Sequence, residues 1–280
     1  MTQNTDFEDI KAEILYRAKA AKACTEQYSR AYKSETLQEL CSVIKDNFNW
    51  WVNNKVITSD LLIQYRKDFA QNDIFINISV RCGFLLCSNA IVEAWGNVTV
   101  EACDNATVEA CDNATVEAWG NAIVEAWGNA IVKAYGNAIV EAYGNAIVKA
   151  YGNARVKAYG NAIVKAYGNA IVEAYGNAIV KAYSNAIVKA WGNAIVKAYG
   201  NAIVKAYGNA TVEACDNVTV EACDNVTVEA CDNVTVEACD NAYCTSHHII
   251  ECKLSGDAIY RVKSTNTVYY SSDNINFIKQ

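Results

Sequence analysis

Proline is absent from all 280 residues of the chain, where average usage would be about 5%. Proline has no N–H to give to a neighbouring strand, so its exclusion suits one unbroken β-ladder. Long apolar runs are missing as well. No stretch of about 18 residues is both apolar and uncharged, which removes a membrane-spanning helix from consideration. The opening segment, M-T-Q-N-T-D-F-E-D, has neither the basic nor the apolar region of a secretory leader. A cytoplasmic location is therefore expected, with the twelve cysteines held as reduced thiols rather than as a disulfide framework. No Ser/His/Asp set, Gly-rich phosphate loop or converging carboxylate pair occurs, so neither catalysis nor a cofactor is expected. The net charge of −7 argues against a simple nucleic-acid binder and suits a basic partner or the imitation of an acidic polymer.

Apolar residues make up 52% of the chain, too many for disorder, and their arrangement is periodic. From Asn89 to Asp240 the sequence repeats every eight residues without insertion. The terminal octads read N-V-T-V-E-A-C-D, as at Asn217 to Asp224; the central ones read N-A-I-V-K-A-Y-G, as at Asn161 to Gly168. Counted from Asn, positions 2, 4 and 6 are Ala or Val, then Val, then Ala. Positions 3, 5 and 7 are Ile or Thr, then Glu or Lys, then Trp, Tyr or Cys. Period-two alternation makes each octad one short strand. Glu and Lys at position 5, and Arg155 at position 3, put the odd positions in solvent. Only Ala and Val are left to face inward, which predicts a slender rod. Position 8 (Gly, Asp or Ser184) and the next Asn are turn formers tolerant of φ > 0, and the Asn side chains are placed to stack as an amide ladder.

The fold expected is therefore mainly β: a β-solenoid of about 16-residue coils with two octads per coil, although three per coil also satisfies the pattern. Its ends need caps, because exposed end coils template aggregation. Three regions follow: a helical N-terminal domain over 1–72, the solenoid over 73–241, and a C-terminal β cap over 242–280. In the first, Phe7, Ile10, Ile14, Ala18 and Ala21 fall at helical spacing, Thr36 and Glu39 form a capping box, and Ser59 caps a third helix. Residues 73–88 keep the octad register as lead-in coils.

The octads, the lead-in G-F-L-L-C-S-N-A and the tail E-C-K-L-S-G-D-A-I-Y-R-V resemble uncharacterised octapeptide-repeat proteins of gut bacteria and their phages. The resemblance implies a β-solenoid and a mobile-element origin, and it implies no activity and no functional residues. A looser analogy of shape and charge links the chain to pentapeptide-repeat proteins, slim acidic rods that imitate duplex DNA, although their five-residue period is absent.

A 16-residue coil stacks Lys133, Lys149, Lys165, Lys181 and Lys197 in one column and Tyr135, Tyr151, Tyr167, Tyr183 and Tyr199 in the next. The pair forms a candidate strip for a partner, a cationic track beside aromatic stacking platforms. Exposed Ile and aromatic stripes point to partner binding or self-association. The expected function is that of a non-catalytic binding rod, such as a phage-derived inhibitor of a host defence or nucleic-acid-handling enzyme; the other reading is a self-assembling fibre or spacer. The partner is then a host protein or a second copy, with direct nucleic-acid binding a further outcome. Cys215/Cys231 and Cys223/Cys239 stack within disulfide range, but parallel Cβ vectors favour free thiols. Cys244, His247, His248 and Cys252 match no standard zinc spacing.

Overall fold

The computed structural model describes residues 3–271, with side chains from Phe7 onward. The rest of the C-terminal segment, 272–280, lies outside the described residues. From β4 (Thr107–Ala110) to β20 (Thr235–Ala238) every octad contributes one four-residue strand. Each strand pairs in parallel with the strands sixteen residues before and after it: Val164 lies opposite Val148 and Val180. Two octads therefore complete one coil, and three per coil is excluded. Alternate octads build two outward faces. The first carries Glu101, Glu117 and Lys133 in register; the second carries Glu93, Glu109 and Glu125.

The alternation works as the side chains require. Apart from the partly exposed Ala90 of the first octad, each inward Val and Ala of the octads is 0–2% exposed, and together they fill the interior from Val92 to Ala242 as one continuous cluster. Hydrogen bonding between coils continues around the corners: along one strand and into the next octad, Ile163 N donates to Ala146 O, Tyr167 N to Ala150 O and Asn169 N to Gly152 O. Proline at any of these positions would delete an inter-coil bond, which accounts for its exclusion. The amide ladder also forms: Nδ2 of Asn185 donates to Oδ1 of Asn169, and Asn201 repeats the contact on Asn185, at 3.4 and 3.5 Å.

Each corner needs a positive φ at position 8. Gly168 has φ +70°, and a Cβ there would sit 3.3 Å from the Gly152 backbone of the preceding coil. Asp and Ser184 hold the same left-handed conformation without being glycine, Ser184 at φ 60°. The aspartates are compensated, since Asp216 accepts from Gly200 N and Asp224 from Gly208 N, both at 2.8 Å. Among the described residues the Ser184 side chain makes no such bond. Ser184→Gly is expected to raise stability by about 1 kcal/mol, read as an increased Tm; an unchanged or lowered Tm would refute the conformational argument.

Among the described residues the helical region holds six helices rather than three: α1 (Gln3–Ala20), α2 (Thr25–Lys33), α3 (Leu37–Asp46), α4 (Phe48–Asn53), α5 (Ser59–Gln64) and α6 (Arg66–Ala70). Asn47 at φ −146° breaks the second expected helix into α3 and α4. Thr36 caps α3 by accepting from Glu39 N at 3.2 Å, and Glu39 in return accepts from Glu35 N. The cap of α5 is Thr58 rather than Ser59; its hydroxyl accepts from Leu61 N and from Arg17. The helices bury their own core around Ile10, Ile14, Leu40, Ile44, Trp51 and Leu62.

The lead-in coils do not hold the octad register. In β1 (Ile74–Ile76) and β2 (Val80–Ser88), Ile74 pairs with Phe84, ten residues on, and Leu85 pairs with Val100 of β3 (Ile91–Cys103), fifteen on. The bulky residues of this segment serve two cores: Leu85 enters the solenoid interior while Leu86 belongs to the helical core. A ladder irregularity between Val80 and Cys82 absorbs the mismatch. At the far end the parallel ladder continues beyond the last octad through β21 (Tyr243–Ser246), β22 (Glu251–Leu254) and β23 (Ile259–Val262), still sixteen residues apart. The strand β24 (Thr267–Tyr270) then folds back antiparallel on β23.

Candidate functional site

All ten residues of the expected strip lie together on the first face. Lys133, Lys149, Lys165, Lys181 and Lys197 occupy successive coils, with Tyr135, Tyr151, Tyr167, Tyr183 and Tyr199 beside them. Each is half-buried by its neighbours above and below. Unpaired ammonium groups one strand spacing apart repel by about 1 kcal/mol in water. The column is relieved only at its ends, where Lys133 pairs with Glu117 at 2.6 Å and Lys197 with Glu213 at 2.7 Å. Among the described residues, Lys149, Lys165 and Lys181 form no ion pair.

The tyrosines are not open platforms. Their rings stack on one another at 5.0–5.4 Å with interplanar angles of 7–13°, and a matching ladder from Trp127 to Tyr207 runs along the second face. Such pairs contribute about 1 kcal/mol each, and they close the ring faces to any ligand. What the strip offers outward is ring edges, hydroxyls and ammonium groups.

The second face shows what those hydroxyls bind. There the Tyr143 hydroxyl donates to Glu141 at 2.7 Å, and Lys157 of the next coil approaches the same carboxylate at 3.3 Å. The Tyr143 hydroxyl, aided by Lys157, holds Glu141 below the usual carboxylate range. Tyr175 donates to Glu173 in the same manner, whereas Tyr207, whose own octad carries Lys205, reaches Glu221 of the next coil. On the first face Lys occupies the position of these carboxylates, and among the described residues the hydroxyls of Tyr151, Tyr167 and Tyr183 make no hydrogen bond to protein. The difference between the two faces follows from which octads carry Lys. A recess also opens on the second face where Arg155 replaces Ile, between Ile139 and Ile171 and beside Lys157 and Glu173.

A second polar site escapes the octad pattern. Leu86, in the helical core, heads the first-face column that continues as Glu101 and Glu117, and the ring of nearby Phe84 packs at a tilt against Phe48 of α4, centroids 5.3 Å apart. The helical layer thus roofs the start of this face. Glu101 is 0% and Glu117 6% exposed, against the expectation that position 5 always meets solvent. Trp119 Nε1 donates to Glu101 Oε2 at 3.1 Å, while Oε1 has no partner. Burial, with Glu117 adding to it, pushes the Glu101 carboxyl up to about 8.

The cysteines of the C-terminal octads also depart from expectation. Cys215–Cys231 and Cys223–Cys239 are disulfides, one on each face, with Cα separations of 4.8 and 4.7 Å. The coil spacing itself brings the sulfurs into reach despite the parallel side-chain directions. With the sulfurs joined, the nearby Asp232 and Asp240 face no free thiolate, so these clusters offer no soft-metal site. The pairing also removes the cysteine argument for a reducing compartment. Cys244 and Cys252 lie in the core and His247 and His248 at the surface, so the four are not brought together. No described helix is long and apolar enough to cross a membrane.

No known protein family, curated protein or solved structure matches the chain. Its class is defined by its own architecture: a parallel β-solenoid of 16-residue coils, built from tandem repeats and led by a helical region.

Proposed function

We propose that the protein is a non-catalytic interaction rod that engages the acidic surface of a macromolecular partner along its first face. One observation carries this reading. Lys149, Lys165 and Lys181, with Tyr151, Tyr167 and Tyr183, present three consecutive ammonium–hydroxyl steps that lack an oxyanion, whereas Glu141 fills the equivalent place between Tyr143 and Lys157 on the second face. An acidic partner supplies what the first face lacks. The Ala and Val interior, which leaves no room for an enclosed substrate, supports a role outside catalysis. The resemblance to octapeptide-repeat proteins of gut bacteria and their phages, with the net charge of −7, extends the reading to a host protein as target, a nucleic-acid-handling enzyme among them, with the rod as its inhibitor.

Fluorescence anisotropy with a labelled poly-glutamate peptide tests the strip directly. The triple variant Lys149→Glu, Lys165→Glu, Lys181→Glu is expected to bind about tenfold more weakly, the sum of three exposed pairs, and wild-type binding to weaken as salt rises. Equal binding by both proteins would remove the strip from consideration.

A further inference from the structure

We infer that the partner of the lysine strip is a second copy of this chain, docked through its second face; the inference rests on the reading of the first face as a binding strip. The second face carries the complement. Glu93, Glu109 and Glu125 occupy three consecutive coils in register, and among the described residues none of them is ion-paired. Lys149, Lys165 and Lys181 occupy three consecutive coils of the first face. Each column is repulsive by itself, and the two cannot meet within one molecule because they lie on different faces.

Three properties make the columns fit each other. The repeat is identical on both, since each is set by the same inter-coil ladder, so every step along one rod meets a step of the other. A flexible acidic polymer has no such commensurate spacing. Both columns occupy position 5, the middle of the three outward rows, so they coincide whether the two rods run in the same or in opposite directions. On one side of each column runs the row of position 3, where Ile123 and Ile139 on the second face and Ile131 and Ile147 on the first are exposed by 36–41%, giving apolar contact beside the charges.

The contact joins different patches on the two copies, so the bound pair still offers one free face of each sign, the second face of one copy and the first face of the other. Heterologous contacts of this kind propagate rather than close unless the rotation returns on itself. Concentration-dependent, salt-sensitive growth of the assembly follows.

Sedimentation velocity on the full chain at low and at physiological salt provides the test, with two charge-reversed triples: K149E/K165E/K181E and E93K/E109K/E125K. Wild type is expected to associate at low salt and to dissociate as salt rises. Each triple alone loses association, because both of its faces then carry one sign, and an equimolar mixture of the two recovers it. The substitutions are in solvent-facing rows, and circular dichroism of each triple confirms the fold before mixing. The glutamine triple K149Q/K165Q/K181Q, which removes charge without reversing it, is also expected to lose association. Wild type that stays monomeric yet binds poly-glutamate through the strip overturns the second-copy assignment and leaves the strip standing. Monomeric wild type that does not bind poly-glutamate defeats both. Association that neither triple abolishes, or a mixture that does not assemble, also overturns the assignment.

Discussion

Replacing Glu101 by glutamine is expected to stabilise the protein at alkaline pH by about 5 kcal/mol while changing little below pH 5. The folded protein keeps a proton on Glu101 until about pH 8, because burial and the neighbouring Glu117 disfavour its anion; the unfolded chain releases that proton near the ordinary value of 4.5. Between these two values the native state binds more protons than the unfolded one, so stability falls as pH rises across the window, and the loss is complete above it. Each unit of difference corresponds to about 1.4 kcal/mol. Glutamine retains an oxygen to accept from Trp119 and carries no titrating proton. Urea unfolding of wild type and variant at pH 5, 7 and 8.5 should give curves that diverge upward in pH. Parallel pH profiles would show that Glu101 is ionised in the folded state.

Reduction of the two disulfides is expected to lower the stability of the C-terminal coils by about 3 kcal/mol for each bridge. Each links residues sixteen apart, and in the chain-entropy account a loop of that length accounts for roughly this amount. The two bridges pin successive coils on opposite faces, so the effect concentrates between Ala210 and the terminal strands. Hydrogen exchange with and without reductant should show faster exchange there and little change near Lys133. A thiol titration in denaturant supplies the covalent check. Eight free cysteines should react before reduction and all twelve after it. Twelve reactive thiols without reductant would mean that the columns hold no bridge.

The repeat was legible because it is a purely local pattern. Ala162, Val164 and Ala166 alternate with Ile163, Lys165 and Tyr167, and no other strand geometry satisfies both sets, so the coil, its interior and the Asn ladder follow from residue type and period. What remained hidden depends on contacts between distant segments. Glu101 differs in no way from Glu229 within its octad, yet it is buried where Leu86, a member of the helical core, pairs beside it, and no local sequence signal marks that approach. The continuation to Val262 was obscured because Tyr243, Glu251 and Ile259 keep the spacing without keeping the octad residues. The ten strip residues were placed correctly by counting, whereas the closure of the tyrosine faces required the rings to be seen stacked.

One octad is half a turn, and every half turn has the same interior. Gain or loss of a single unit is therefore invisible to the core, yet it rotates the pattern of everything downstream to the opposite side of the rod; gain or loss of two units only changes its length. Copy-number change in such a gene is a surface edit. It can move a charged row from one side to the other in one event, without passing through a misfolded intermediate sequence.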